Sequence, residues 1–151
     1  MRELLVTARE RGIDVEWSRD MGDWLRGVYE HHVRTITINS TMDIWQQRYT
    51  LAHELGHAWH EHELDASDPH SNLEAERLAD EHAASLLIDP EQYARAEELY
   101  GPHLGALADE LGVHPDVVSI FQRVLRRVPP VAYATPWGRA PWLHNRPSRI
   151  A

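Results

Sequence analysis

The sequence predicts an α+β fold in which a small, mostly antiparallel sheet packs on a long, histidine-containing helix. Three observations point to this fold. Short segments of alternating apolar and polar residues lie in the first third of the chain, at 14–17, 25–29 and 34–39. Helical spacing then extends over 42–62. Further helical segments follow as far as residue 128.

Length and composition restrict the domain count and the chemistry. A chain of 151 residues favours one domain, predicted at 1–128, followed by an extended arm rich in Pro, Trp and Arg at 129–151. Because there is no Cys, any metal site must use His and carboxylates. No hydrophobic signal region and no run of about 20 apolar residues is found, so we expect a cytoplasmic protein without a membrane partner.

The net charge of −9 is unevenly distributed. Residues 1–116 contain 24 acids and nine Arg, a net charge of −15, whereas 117–151 contain six Arg and no acid. An acidic body argues against wrapping nucleic acid, which requires a basic surface. The basic arm alone offers one, and two interpretations stay open: it recruits a substrate or DNA, or it packs on the acidic body.

The elements follow in order along the chain. A short amphipathic helix over 1–11 ends at Gly12, and the three strands come next. Ser40 with Asp43 three residues later resembles a capping box in front of the helix over 42–62.

The second half of the chain is predicted to be helical. The polar stretch 63–70 is a loop, and the next helix starts at residue 71 or 72, with Glu74 at the capping-box position, and ends at 88. Helices over 90–100, 102–111 and 115–128 follow, and Pro or Gly residues separate them.

The pentad HELGH at 53–57 predicts a zinc site. His53 and His57 are neighbours on one helix face, so both imidazoles can reach one zinc ion at about 2.0–2.1 Å. Glu54 is rotated away from them, close enough to contact a water on the zinc without being a ligand. Leu51 and Leu55 point to the opposite side and can anchor the helix in a core.

A catalytic zinc needs a third protein ligand and an open position. The metzincin spacing fails, because the positions of its Gly and third His hold His60 and Glu63. Glu76 with Asp80 four residues later offers one carboxylate ligand and one acceptor that holds a ligand imidazole from behind. Glu74 is a rival ligand, although its position suits a capping role.

The residues quoted above resemble the ImmA/IrrE family of zinc metallopeptidases. The stretch RYTLAHELGH at 48–57 is followed by ERLAD at 76–80 and AASLLI at 83–88. The family's second signature is Glu with Ala three and Asn or Asp four residues later, then small residues ending in a Leu pair. The resemblance covers about 14–128, and the arm has no counterpart in the family pattern.

The resemblance implies a thermolysin-like site and a substrate class. His53, His57 and Glu76 are then the zinc ligands and Glu54 the general base of a zinc-dependent endopeptidase. Members often come from phages and mobile elements and cleave helix-turn-helix repressors. We therefore expect a zinc cofactor and a protein partner that is a helix-turn-helix repressor, and we make no prediction of oligomeric state.

Two other classes of function compete with the peptidase. One is a zinc-containing regulator or antirepressor that does not turn over. The other is a DNA-binding module in 102–128, where ADELGV at 108–113 is typical of the first half of a helix-turn-helix. Its would-be recognition helix begins with Pro115 and Asp116, and an acid at that position disfavours DNA. A packing or substrate-recruiting hairpin is the favoured interpretation.

Several aromatic and histidine side chains have no assigned role in the sequence. Candidates to polarise a substrate carbonyl are Tyr29, His31, His32, Tyr49 and Tyr93, and the sequence does not choose among them. We expect Trp17, Trp24 and Trp45 in the core or on a sheet face. We expect His60 to lie at a partly exposed helix end. His62, His70 and His103 are expected on the surface.

Overall fold

The computed structural model describes residues 1–60 and 72–127 with their side chains, and the backbone alone of 69–71, 134–135 and 138–139. The chain divides into two compact units, Met1–Leu87 and Ile88–Ala151, of which the second is described over 88–127. The predicted arm at 129–151 lies outside the described residues, apart from a short antiparallel pair of strands. The domain division at residue 128 stays a prediction.

In its described residues, the first unit contains three strands and three helices. They are α1 (Arg2–Glu10), β1 (Asp14–Ser18), β2 (Gly27–Glu30), β3 (Thr35–Asn39), α2 (Ile44–Trp59) and α3 (Pro69–Leu87). The described elements of the second unit are α4 (Pro90–Tyr100), α5 (Leu104–Leu111), α6 (Pro115–Arg127), β4 (Ala134–Thr135) and β5 (Gly138–Arg139). The predicted α+β fold class is confirmed.

The sheet of the first unit is mixed, so the prediction of a mostly antiparallel sheet is wrong. Its order is β1-β3-β2: β2 pairs antiparallel with β3, whereas β1 pairs parallel with β3, from Asp14↔Thr35 to Ser18↔Asn39. Alternating residues identify a strand but do not determine which neighbour it pairs with, and here β3 inserts between β1 and β2.

From the sequence we also expect a sheet edge near residues 34–39 to border the cleft, and the structure contradicts this expectation. β3 is the central strand, and its Ile36 and Ile38 side chains have no exposed area. Both contribute to the core beneath α2, which contacts β3 as well as β2. The edge strand of this sheet that lies against α2 is therefore β2.

The ends of α2 and α3 differ from the predicted ones. Asp43 caps α2 by accepting a hydrogen bond from the Gln46 backbone N–H at 2.8 Å. Ser40, the predicted cap, instead bonds the Ser18 carbonyl through its backbone N–H and hydroxyl, which ties it to the end of β1. α3 begins at Pro69, and a proline is compatible with the first turn of a helix. Glu74 therefore lies inside the helix rather than at the predicted capping position.

The helices of the second unit follow the predicted pattern closely. α4 has the predicted bounds, with Asp89 accepting from two first-turn N–H groups and Gly101 ending it at a φ of 63°. α5 begins two residues later than predicted. Gly112 in the left-handed conformation ends α5, and α6 begins three residues later at Pro115.

Tryptophans behave differently from the prediction. Trp24 is 83% exposed and Trp45 is 59% exposed, so neither belongs to the core. Trp24 lies in the loop after β1, and Trp45 lies in the first turn of α2. Trp17 is on a strand, as expected, but is 43% exposed and donates its indole N–H to Gln47.

A stack of three side chains links α1, α2 and α3. The Arg11 guanidinium, just after α1, lies 3.4 Å from the Trp59 ring centre, and the His82 ring is 5.0 Å from the same ring. Burial lowers the pKa of His82 to about 4, and the charges of His60 and Arg11 act in the same direction. His82 is therefore a neutral packing ring near pH 7.

Among the described helices, none combines the length and the hydropathy that a bilayer crossing requires. The cytoplasmic location stays a prediction.

Candidate metal centre

Three predicted ligand side chains converge at one point between α2 and α3. The Nε2 atoms of His53 and His57 are 3.1 Å apart, and the Glu76 carboxylate lies 3.2 Å from the first and 3.4 Å from the second. One ligand atom from each of the three residues can be chosen so that all lie within 4.8 Å of one another. The grouping could therefore hold a metal ion.

Asp80 fixes the orientation of the His53 ring. Its Oδ1 atom lies 2.8 Å from His53 Nδ1 and 2.7 Å from the Tyr49 hydroxyl. Burial alone would raise the pKa of Asp80, but the hydrogen bonds from His53 and Tyr49 lower it overall. An ionised carboxylate only accepts, so His53 Nδ1–H is the donor. In the neutral imidazole the lone pair is then on Nε2, the atom that lies nearest His57 and Glu76.

The charge state of His53 reflects the same neighbours. Burial by itself would lower the pKa of this histidine, but the hydrogen bond to Asp80 and the carboxylates of Glu54 and Glu76 outweigh burial and raise it. Three carboxylates around two imidazoles form a site that attracts positive charge. A divalent cation is one way to provide it.

Glu54 is the buried acid of the site. Its side chain lies on α2 between the two imidazoles in sequence, and 8% of the residue is exposed. Burial raises the pKa of Glu54 to about 7; the Glu76 charge adds to this, against the opposing effects of His53 and a backbone hydrogen bond from Tyr29. A carboxyl group with such a pKa can exchange a proton near neutral pH.

The separation of α2 and α3 depends on Gly56, a residue that the sequence reasoning did not single out. A Cβ at this position would lie 2.7 Å from both the Cα and the carbonyl oxygen of Ala79, a fully buried residue. The helix backbones therefore touch here. This contact brings Glu76 and Asp80, three residues before and one after Ala79, up to the α2 histidines.

Gly27 performs a similar task between β2 and α2. An added Cβ would lie 2.4 Å from Thr50 Cγ2 and 3.3 Å from Glu54 Cγ. The sequence signal for both glycines is a small residue inside a regular element, which often marks a close approach.

His53, His57 and Glu76 are called the metal group from here on. An open pocket of about 540 Å³ lies in front of them. The loop before β2, the strand itself and the following turn form one wall, and the histidine face of α2 with Glu76 forms the other. Its lining is Leu25, Gly27, Val28, Tyr29, Glu30, His31, His32, His53, Glu54, His57 and Glu76. The strand that borders the site is thus β2.

The other predicted residues lie elsewhere. Glu74, the rival ligand, bonds Arg77 on the outer surface of α3. His60 is exposed at the C-cap of α2, as expected, and His103 is exposed at the start of α5. Tyr93 is buried in the second unit, where its hydroxyl accepts from Gln122.

Three predicted residues, Glu63, His62 and His70, lie outside the residues whose side chains the structure describes.

A comparison with protein-family models gives one match over most of the chain. The model described as the IrrE N-terminal-like domain, of the Peptidase_M78 family, matches residues 8–121. The chain belongs to this family. Membership in this metallopeptidase family agrees with the HExxH pentad and with the separate glutamate that the structure brings beside it.

Two relatives are named Radiation response metalloprotease IrrE. The protein from Deinococcus deserti is 38% identical over 116 residues, which are 70% of this chain and 40% of the relative. The protein from Deinococcus radiodurans is 35% identical over 122 residues, 74% of this chain and 37% of the relative. The chain thus spans about two fifths of the length of these IrrE proteins.

We expect Gly56→Ala to damage both the fold and the metal group. The added methyl must push against Ala79 backbone, and overpacking of this kind costs about 1–3 kcal/mol. Urea unfolding measures the loss, and isothermal titration with zinc measures the weaker binding that follows when α3 shifts.

Gly105→Ala is the matched control for this substitution. Gly105 is in α5, and an added Cβ there meets nothing within 4 Å. Alanine should stabilise that helix by up to about 1 kcal/mol. If Gly56→Ala unfolded and bound zinc like the wild type, the contact with Ala79 would not control the site.

Proposed function

We propose that the protein is a zinc-dependent endopeptidase that cleaves a helix-turn-helix transcriptional repressor. His53, His57 and Glu76 hold the ion, Glu54 is the general base, and Asp80 orients His53. The observation that carries the proposal is the convergence of two imidazole Nε2 atoms and one carboxylate beside a buried glutamate in an open pocket.

The donor set suits zinc. Ligands at about 2.0–2.1 Å from a tetrahedral centre are about 3.4 Å apart, close to the separations of 3.1–3.4 Å observed here. Two imidazole nitrogens and one carboxylate are the ligand set of several catalytic zinc sites, which keep a fourth position open. When bound, the ion supplies Lewis acidity, which polarises a carbonyl and makes water more acidic.

Glu54 is placed to move the proton. It is adjacent to the ligands without belonging to their grouping, and it lines the same pocket. We assign it the removal of a proton from the attacking water and the later delivery of that proton to the leaving amine.

The edge strand β2 offers a place for the substrate. β2 is at one side of the three-stranded sheet and lines the pocket. An extended peptide segment can pair with such an edge, which would hold its scissile bond across the metal group. A repressor linker or a locally unfolded segment meets this requirement for extended backbone.

The repressor as substrate rests on the resemblance to ImmA/IrrE proteins rather than on the pocket. Its cleavage would separate DNA-binding from oligomerising parts and remove the bivalent gain in operator affinity. A non-catalytic antirepressor is the second candidate, because it would use the same metal group and surfaces. The α5–α6 hairpin as a DNA reader has less support, since the acidic Asp116 lies in the first turn of α6.

The first test concerns the metal. We expect one zinc ion per chain in the wild type, and a loss of affinity by orders of magnitude in His53→Ala, His57→Ala and Glu76→Ala. Glu54→Gln should retain zinc, because this residue is not a ligand. Glu74→Gln is the matched control on α3, and metal analysis with competition by a chelator measures each protein.

Full zinc occupancy in Glu76→Ala would contradict the assignment and shift the third ligand to Glu74 or Glu63.

The second test concerns Asp80. Loss of an acceptor behind a ligand histidine typically costs roughly 10- to 100-fold in metal affinity or activity. Asp80→Asn should therefore weaken zinc binding within that range without abolishing it. Glu81→Gln, the next residue on α3, is the control, and unchanged affinity in Asp80→Asn would make Asp80 an ordinary surface acid.

The third test concerns the reaction. A helix-turn-helix repressor, sought first among the genes next to the protein's own, is mixed with wild type, Glu54→Gln and chelator-treated protein. Both the formation of fragments and the release of the operator are followed. We expect discrete fragments from the wild type alone. Operator release without fragments, equal in Glu54→Gln, would replace the peptidase with a binding antirepressor.

A further inference from the structure

We propose that His31, held by the hydroxyl of Tyr29, donates a hydrogen bond to the scissile carbonyl oxygen as negative charge develops on it. This inference rests on the peptidase activity proposed above. The metal group and the general base do not include a side chain that donates a hydrogen bond to the reacting carbonyl oxygen. The inference assigns that role to His31.

The pocket lining restricts the choice of donor. Beyond the metal group and Glu54, the polar side chains in that lining are Tyr29, Glu30, His31 and His32. Glu30 is a carboxylate and would repel an oxyanion. His32 is exposed, whereas Tyr29 and His31 are half-buried.

Two other side chains that the sequence offered as donors, Tyr49 and Tyr93, are not among the residues that line the pocket. Tyr49 donates its hydroxyl to Asp80 and does not line the pocket. Tyr93 is buried in the second unit. The structure thus selects between five side chains that the sequence left equal.

Tyr29 and His31 form a pair at the end of β2. The Tyr29 hydroxyl lies 3.3 Å from His31 Nδ1, and the two rings meet edge to face with centres 5.9 Å apart. When the hydroxyl donates to Nδ1, a neutral imidazole carries its hydrogen on Nε2. That N–H is then the donor available to a substrate.

Tyr29 also connects this pair to the general base. Its backbone hydrogen-bonds Glu54. Its strand is held in register by pairing with Ile36, a residue without exposed area. One residue of the edge strand therefore sets the position of both Glu54 and His31 relative to a peptide lying on β2.

The step balances without another reactant. The water oxygen bonds to the carbonyl carbon, the carbonyl π pair moves onto its oxygen, and Glu54 takes the water proton. Collapse of the oxyanion breaks the C–N bond, and Glu54 gives the proton to the amine nitrogen. His31 keeps its Nε2 hydrogen throughout, and its contribution is the hydrogen bond that strengthens as the charge grows.

The experiment uses the full chain loaded with zinc and compares His31→Leu, His31→Gln, Tyr29→Phe and the neighbouring control His32→Leu. Removing one oxyanion donor costs about 10²–10³ in kcat. We expect such a loss in His31→Leu with KM changed by less than about threefold. His31→Gln should recover part of the loss through its amide donor, and Tyr29→Phe should show a smaller decrease.

A second readout is independent of turnover. An N-phosphorylated dipeptide, whose tetrahedral oxygens imitate the oxyanion, should bind His31→Leu more weakly than His32→Leu by about the same factor as the kcat loss. Zinc content and thermal unfolding should match the wild type in all four variants.

The outcomes separate this inference from the peptidase proposal. If the wild type cleaves the repressor and His31→Leu behaves like His32→Leu in both readouts, the His31 assignment is overturned and the peptidase stands. If the wild type neither cleaves the repressor nor binds the dipeptide, both proposals fail. A loss in His31→Leu confined to KM would make His31 a substrate-binding residue and would also overturn its assignment to the oxyanion.

Discussion

The direct contact of α2 with α3 at Gly56 is the constraint on which the site depends. α2 carries both histidines, but their third partner is on a different helix, and a carboxylate side chain reaches only a few ångströms. The Ala79 backbone lies against Gly56. This contact places the Glu76 carboxylate beside Nε2 of His53 and the Asp80 carboxylate beside Nδ1 of the same ring. Any larger residue at position 56 would separate the two halves of the grouping.

The two carboxyl groups near this contact, Asp80 and Glu54, differ in the direction of their pKa shifts. Asp80 accepts from His53 and Tyr49 and stays ionised, which holds the imidazole hydrogen on Nδ1. Glu54 is more buried, and its desolvation outweighs the opposing effects of His53 and of the Tyr29 backbone hydrogen bond, so its pKa is raised. Two carboxylic acids on adjoining helices therefore differ in role because one is hydrogen-bonded by side chains and the other is mainly desolvated.

The sheet contributes the opposite wall of the pocket and the approach for a substrate. Gly27 allows β2 to lie against Thr50 and Glu54, so the edge strand is in contact with the residue proposed as the base. Relatives of this chain are named metalloproteases and are more than twice as long as the matched segment. All residues assigned to the proposed chemistry lie in the first unit and within the segment that the family model matches.

The sequence by itself predicted most of the helices and strands and the three side chains that the structure brings together as a possible metal site. The HELGH spacing sets two imidazoles on one face because of the helical period, and the bounds of α4 follow from Asp89, Pro90 and Gly101 through local capping rules. Asp80 was also predicted behind a histidine, since four residues separate it from Glu76 on the same face. These features depend on neighbours along the chain.

Tertiary structure decided what depends on contacts between distant segments. Alternation could not show that β1 pairs parallel with β3, and therefore that β2 rather than β3 borders the pocket. It also could not show that Trp24 and Trp45 are exposed, because hydrophobicity does not tell which face of the fold has a partner. The choice of His31 and Tyr29 over Tyr49 and Tyr93 has the same physical reason: all four have suitable side chains, and only their three-dimensional neighbours distinguish them.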